Sequence, residues 1–328
     1  VSGSVGKSAA LTGSGAGASA SNNIANSIQA YVSQGGAVTS RSGNVALNAN
    51  DHATITAGSV GGSVAFAASG QGFSAAVAIG AGLAYNDIGN TVRAFLDDGD
   101  AHVLQGTLSL DAKAIATINA TAVGVAVSAA ITNPEEGVSI ALSGAGAEAN
   151  NAVHNTVGAY ARNTSMIEAG GTVRLSAEEI AGVTANVPAI AVSIGIISGS
   201  VGVSLSRNTV SSTVDSYIEN SSVTLTAGDL DLSATGHATV EAKLSPVAVS
   251  ISIGGSGSGA SGISTVGGRV SSYVGPQSQV TVTNGKVDIS AASTATATAA
   301  PKGGSGALGL AVNGLVAKAT VERDTAAY

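Results

Sequence analysis

The chain has no cysteine and no tryptophan, and only one methionine, five prolines and three phenylalanines in 328 residues. Without cysteine it forms neither disulfides nor thiolate metal sites. Aromatic residues make up 3% and charged residues 10% of the chain, against the ~25% charged residues of an average soluble domain. Large side chains are therefore too scarce for a thick core of the usual kind, and cohesion must come from many close contacts between small groups. A basic stripe is missing too. Thirteen Lys and Arg stand against 20 Asp and Glu, for a formal net charge of −7, which argues against nucleic acid and anionic membrane surfaces as partners. No charged-then-apolar leader follows Val1, so the sequence reads as a processed product or a slice of something longer. The uncharged stretch 53–86 has the length of a membrane span. Its period of two and its lack of aromatic girdles argue against both a helical span and a membrane barrel, and no transmembrane span is expected.

What the chain has is glycine, at 45 positions, and repetition. The pattern Gly-x-(Val/Leu)-x-(Leu/Ile)-x-Ala begins at Gly43, Gly106, Gly171, Gly228 and Gly285, at spacings of 63, 65, 57 and 57 residues. A second anchor keeps step with it: Tyr31, Phe95, Tyr160, Tyr217, Tyr273 and Tyr328. Nine residues before the first four stand Asn22, Asn86, Asn151 and Asn208. Two independent anchors in register identify a repeat protein. They divide the chain into one continuous array with units 43–105, 106–170, 171–227 and 228–284, flanked by partial units 1–42 and 285–328.

Between anchors, residues alternate as on strands, with a medium-sized apolar face opposed to a very small one. Phe73, Val77, Ile79, Leu83 and Tyr85 oppose Ser74, Ala76, Ala78, Gly80 and Gly82, and Ile190, Val192 and Ile194 oppose Ala191 and Ser193. Turn-forming residues at 69–72, 133–137, 198–199 and 254–262 separate the two long segments of each unit. The larger residues switch parity between Leu83 and Ile88, which a bulge or bend at the recurring asparagine, a residue that tolerates left-handed angles, would explain. A small face lets sheets stack closer than the usual ~10 Å, or offers a flat surface to another molecule. Strands of about 12 residues would span roughly 40 Å. The expected fold is all-β: an elongated β-solenoid or an array of stacked long β-hairpins, in units of about 57–65 residues.

The segments Ser-Val-Ala-Phe-Ala (63–67), Asn-Asp-Ile-Gly-Asn-Thr-Val-Arg-Ala-Phe (86–95) and Gly-Thr-Leu-Ser-Leu-Asp-Ala (106–112) resemble repeats of large bacterial secreted proteins, the filamentous-adhesin and leukotoxin-like surface proteins. The resemblance is compositional and covers essentially the whole chain. It implies a β-solenoid or related stacked β structure, an extracellular or cell-surface location, and a structural or adhesive role. The chain departs from the calcium-binding nonapeptide type of secreted repeat, because Gly303-Gly304-Ser305-Gly306 lacks the aspartate that type requires.

Side chains suited to chemistry are few. His52 and His237 share a repeat position with Ile115, Ile180 and Thr294, and a position that accepts isoleucine is a packing position rather than a ligand site. Asp97, Asp98 and Asp100, with His102 beside them, form the densest acidic run and the one candidate for calcium, since hard cations take several carboxylate oxygens from a flexible loop. A solvated turn is the plainer reading, because the turns after Tyr160 and Tyr217 lack the run. Glu135 and Glu136, and Glu178 and Glu179, are also paired, but adjacent residues on a strand point to opposite faces, so neither pair makes a natural acid–base dyad. Lys113, Arg162, Arg174 and Lys243 read as scattered and out of register with carboxylates, which counts against a polysaccharide-cleaving β-helix. Gly257-x-Gly259-x-x-Gly262 and Gly304-x-Gly306-x-x-Gly309 match a dinucleotide fingerprint without a helix to follow it, and Gly6-Lys7-Ser8 is a broken phosphate loop. The threonine row Thr294, Thr296 and Thr298 reads as an ordinary strand found in one unit.

The sequence thus points to a non-catalytic structural segment of a bacterial extracellular fibre or giant adhesin that needs no cofactor. Its expected partners are itself, through strand edges and small-residue faces, and a cell-surface glycan or protein. The alternatives are a carbohydrate-binding or polysaccharide-cleaving β-helix, and an ice- or surface-binding solenoid.

Overall fold

The computed structural model describes residues 1–133, 135–164 and 166–328; within the turn read at 133–137, Pro134 lies outside the described residues. The described residues form strands and no helix. In chain order they make six successive rungs. The first holds β1 (Ser2–Gly6), β2 (Ala9–Ile24) and β3 (Ser27–Ser40); the second β4 (Val45–Ser69), β5 (Gly72–Ile88) and β6 (Thr91–Val103). The third holds β7 (Leu108–Ile131), β8 (Gly137–Val153), β9 (Thr156–Arg162) and β10 (Ile167–Ala169). The fourth holds β11 (Val173–Ile194), β12 (Ile197–Glu219) and β13 (Ser222–Leu225), and the fifth β14 (Leu230–Ile251), β15 (Gly255–Val274) and β16 (Gln279–Val282). The last holds β17 (Val287–Pro301), β18 (Gly304–Ala307) and β19 (Leu310–Ala327).

Every strand pairing among the described residues is parallel and joins one rung to the next. One sheet runs β1-β4-β7-β11-β14-β17, and the second carries the remaining strands apart from β18, which pairs β14. Of the two arrangements the repeats allow, this is the solenoid: β4 and β5 lie in different sheets, so the turn at 69–72 links two layers instead of closing a hairpin. The glycine-led repeats align as read, Val45 with Leu108, Leu108 with Val173, Val173 with Leu230 and Leu230 with Val287. A Cβ on Gly285 would lie 1.9 Å from the carbonyl oxygen of Gly228, so stacking of the turns itself demands glycine there.

The strands are longer than expected. β4 has 25 residues, roughly 80 Å at ~3.3 Å per residue, while each rung advances only ~4.8 Å. Each rung is accordingly a wide, flat layer.

The interior has two apolar zones. The thick zone is lined by Val92, Leu96, Val103, Leu108, Leu110, Val173, Leu175, Leu230 and Leu232, all fully buried. The thin zone grades from larger residues such as Ile118, Val183, Val187, Val240 and Leu244 into alanine, glycine and serine, and there the sheets nearly touch. A Cβ built on Gly61 would lie 1.8 Å from the carbonyl oxygen of Ala81. With a bond of ~1.5 Å, the glycine Cα sits no more than about 3.3 Å from that oxygen, the range of a Cα–H···O contact between sheets.

The small faces are therefore inside and the larger apolar faces outside. Ser74, Ala76, Ala78 and Ala84 are buried on β5, while Val77 and Ile79 are 39% and 58% exposed. This corrects two readings. No bulge occurs at the recurring asparagines: even-numbered residues stay buried from Ser74 through Asn86 and Ile88 to Val92, and the parity change only marks where the thin interior gives way to larger residues. Left-handed backbone is instead found past the aromatic anchors, at Gln34, Asp98, Asn163, Asn220 and Gln277, where the chain turns the corner of the thick end. The small-residue faces are also spent on each other within one molecule and are not available to a partner.

Candidate functional site

Both anchor series are continuous ladders. The rings of Tyr31, Phe95, Tyr160, Tyr217, Tyr273 and Tyr328 stack face to face with centroids 4.8–5.2 Å apart and interplanar angles of 2–11°. Each inner ring has both faces covered by its neighbours, so it offers a sugar only its edge. Burial pushes the Tyr160 and Tyr217 hydroxyls above their ordinary pKa. The asparagines form a second ladder inside: the Nδ2 of Asn22 donates to Oδ1 of Asn86 at 2.8 Å, Asn86 to Asn151 at 2.8 Å, and Asn151 to Asn208 at 2.7 Å. Amide-to-amide bonding of this kind satisfies buried polar groups and penalises any slip in register.

A polar layer that sequence reasoning missed divides the two apolar zones. Asn26 Nδ2 donates to Asp51 at 3.2 Å, Asn90 donates to the same carboxylate, and Asn155 Nδ2 donates to Glu179 at 3.2 Å. Glu179 is fully buried and paired at 2.8 Å with Arg323, from 144 residues further along, whose side chain is 2% exposed. Burial pushes the Glu179 carboxyl above its ordinary pKa, opposed by hydrogen bonds from Ser212 and Asn155 and by the Arg323 charge. Gly236 makes room for the guanidinium, since a Cβ there would lie 2.9 Å from Arg323 Nη1. The signal was present in the strand parity: Glu179 shares the inward face of Val173, Leu175 and Ala177.

The acidic run is divided among three duties. Asp97 accepts from Arg162 and from Asn163 Nδ2 at 3.1 Å, Asp98 holds the left-handed corner at φ 55°, and Asp100 accepts from the Met166 amide at 3.0 Å. The hydrogen bond from Arg162 holds the Asp97 carboxyl below its ordinary pKa. Among the described residues no three His, Asp or Glu side chains are grouped to hold a metal ion. Glu178 and Glu179 point to opposite faces as expected, Glu178 outward to Lys113 at 2.8 Å.

Two of the cations are in register with carboxylates on the adjacent rung, Lys113 opposite Glu178 and Arg162 opposite Asp97, and Arg174, which lies opposite Ser109, reaches Asp111 diagonally at 3.8 Å. Distance in sequence hid these partners, which sit 65 or 63 residues away. Lys243 pairs at 2.8 Å with Glu241 on its own strand and lies opposite Asn186, out of register with any carboxylate there. His52 aligns with Ile115, Ile180, His237 and Thr294, as the repeat comparison predicted, and points outward.

The outer face of the first sheet is consequently zoned along the strands. Asp111, Lys113, Arg174 and Glu178 form a charged zone over the thick core. A polar zone follows, in which Thr54, Thr117, Thr239 and Thr296 share one column and Thr56, Thr184 and Thr298 the next. The threonine row thus belongs to several rungs and not to one, with Gly182, Asn119 and Glu241 interrupting it. Over the thin core the face turns apolar, with Phe66, Ile190, Ile194 and Ile251 between 38% and 54% exposed. The second sheet is apolar over the same zone, and a shallow groove of about 520 Å³ runs between Val77, Ile79, Leu142, Val201, Leu310 and Val312, floored by Gly144, Gly199, Gly255 and Gly257. Among the described residues no helix is long and apolar enough to cross a membrane. Compared with protein-family models, curated proteins and solved structures, the chain matches none.

Proposed function

We propose that this chain is a non-catalytic structural segment of a bacterial extracellular fibre or giant adhesin, contributing stiffness and a broad surface. The observation that carries the reading is that one aromatic and one asparagine position stack from rung to rung across most of the array. Such contacts recur only between neighbours, so stability accumulates with rung number, as in other quasi-one-dimensional repeats. Length is the lesser contribution, because 57–65 residues advance the array by only ~4.8 Å. A cell-surface glycan or protein remains the expected external target, met by the outer faces. Negative-stain electron microscopy and thermal melts, in calcium and in chelator, test this. Identical particles and melting temperatures in both are expected; collapse in chelator would overturn a scaffold held together by its own ladders. Release of reducing ends from a polysaccharide panel would overturn the non-catalytic reading. The threonine columns favour ice or mineral-surface binding as a second reading, which measurable thermal hysteresis would support.

A further inference from the structure

We infer that a small pocket beside the aromatic ladder, on the outer face of the second sheet, binds an acidic sugar residue whose carboxylate is taken by Arg93. The inference deepens the reading above by naming the chemistry of the glycan target, and rests on that reading only for where such a ligand is met. Three rungs build the pocket. Arg93 on β6, Gly158 on β9 and Asp215 on β12 follow one another in a single outward column, flanked by Thr156 and by Tyr160 and Tyr217. Between two longer side chains the glycine leaves a gap of about 150 Å³, roughly five waters at ~30 Å³ each. That is room for one sugar ring and not for an oligosaccharide.

Gly158 has no duty in the fold. Its backbone is not left-handed, and an added Cβ would lie 3.4 Å from Cδ1 of Tyr160 and 3.8 Å from Cγ of Arg93, both ordinary contacts. Gly61, Gly124 and Gly285, by contrast, are held to glycine by backbone atoms within 2.1 Å of that position. A glycine inside a strand weakens it, so here the weakness is tolerated for the space it leaves. Arg93 is equally uncommitted. Among the described residues its neighbours on the adjacent rungs are Gln29 and Gly158, with Ser27, Tyr31, Thr156 and Tyr160 diagonal to it, none of them acidic. The nearby guanidiniums of Arg162 and Arg269 are instead paired with Asp97 and Asp215.

These groups define the ligand. A free guanidinium fork matches a planar carboxylate through two parallel hydrogen bonds. Two rungs away, ~10 Å at the usual strand spacing, Asp215 already accepts from Arg269 at 2.7 Å and from Ser271 at 2.6 Å. Its charge is met, yet its oxygens keep further lone pairs, so it suits a hydroxyl donor and not the ammonium of an amino acid. Its negative charge also disfavours a doubly charged phosphate monoester. One carboxylate and several hydroxyls on a single ring describe a uronic acid. Because the ladder covers the faces of its inner rings, a neutral sugar has no face to stack on and lacks the charged contact as well.

Saturation-transfer-difference NMR on the full chain tests this, with methyl glucuronide and methyl glucoside as probes and sodium sulfate as competitor. Methyl glucuronide is expected to bind with a Kd of roughly 1 mM, in keeping with so small a ligand, and methyl glucoside at least tenfold more weakly. Arg93→Met removes the charge and Gly158→Val fills the gap; each is expected to raise the methyl glucuronide Kd about tenfold or more. Unchanged far-ultraviolet circular dichroism and melting show that both variants are folded. Equal binding of the two glycosides, or undiminished binding by R93M or G158V, overturns the site. Sulfate that competes with a Kd as low as that of methyl glucuronide reduces the pocket to a bare-anion site and overturns the sugar assignment. No binding of either glycoside overturns the inference and leaves the scaffold reading standing, since the chelator and melting measurements decide that reading separately.

Discussion

Gly124→Ala is expected to destabilise the protein by at least ~3 kcal/mol, at or above the upper end of ordinary overpacking. A Cβ at this position would lie 2.1 Å from the carbonyl oxygen of Gly146, 2.7 Å from its carbonyl carbon and 2.9 Å from its nitrogen. All three are backbone atoms of the opposite sheet, so no rotamer change relieves the clash and the sheets must separate. Separation would strip contacts from Gly61, Gly80 and Gly82, which make equally close approaches. Gly182→Ala is the control. It lies outward on β11 with nothing within 4 Å of the added carbon, and it is expected to be neutral or to stabilise by up to ~1 kcal/mol through the unfolded chain. Urea denaturation of the two variants checks both. Equal midpoints would mean that the sheets are not in contact through the thin zone.

Removing Arg323 is the second large effect expected. Arg323→Met leaves Glu179 buried without its countercharge, a change that costs about 3–5 kcal/mol in comparable buried pairs. The loss should depend on pH. Burial already raises the Glu179 pKa above its ordinary value of 4.5, and loss of the guanidinium raises it further. Between 4.5 and that raised value the folded variant binds more protons than the unfolded chain, so its stability falls as pH rises through this window. R323M should therefore lie closer to the unsubstituted protein at pH 5 than at pH 7.5. The double variant E179Q/R323M should recover most of the loss, because glutamine carries no charge and still accepts from Asn155. Denaturation midpoints at the two pH values decide it; a loss independent of pH and not recovered by E179Q would show that Arg323 acts by packing alone.

Much of this architecture was legible in the residue order. Glycine-led repeats and aromatic anchors recur because each stacks on its own counterpart, so their register could be read directly from spacing. Which face lies inside could not be read from alternation alone, since neither face of 73–85 carries a charge. The habit of placing larger apolar residues inside then required a bulge at Asn86. Parity counted from buried Val92 back through Ile88 and Asn86 would have placed Phe73 and Val77 outside with no bulge. The ion pairs were hidden for a different reason: a parallel solenoid puts Lys113 beside Glu178 while leaving 65 residues between them. Glu179 and Arg323 are farther apart still, and their meeting depends on the gap left by Gly236, in register with Glu179. Spacing alone did not reveal that gap. Candidate chemistry in Asp97, Asp98 and Asp100 looked concentrated because the three are close in sequence, yet the corner sends them to separate partners.

Successive units lie directly over one another as parallel rungs. The absence of cysteine makes spin labelling the direct test. Thr56 and Thr298 are exposed and occupy the same column four rungs apart. Pulsed electron–electron dipolar spectroscopy on the Thr56→Cys/Thr298→Cys variant is predicted to give a narrow distribution near 19 Å, four spacings of ~4.8 Å. A stacked-hairpin array places two strands of each unit in the same sheet and would give about 38 Å instead. A distance near that value, or a broad distribution, would contradict the solenoid and everything built on its two faces.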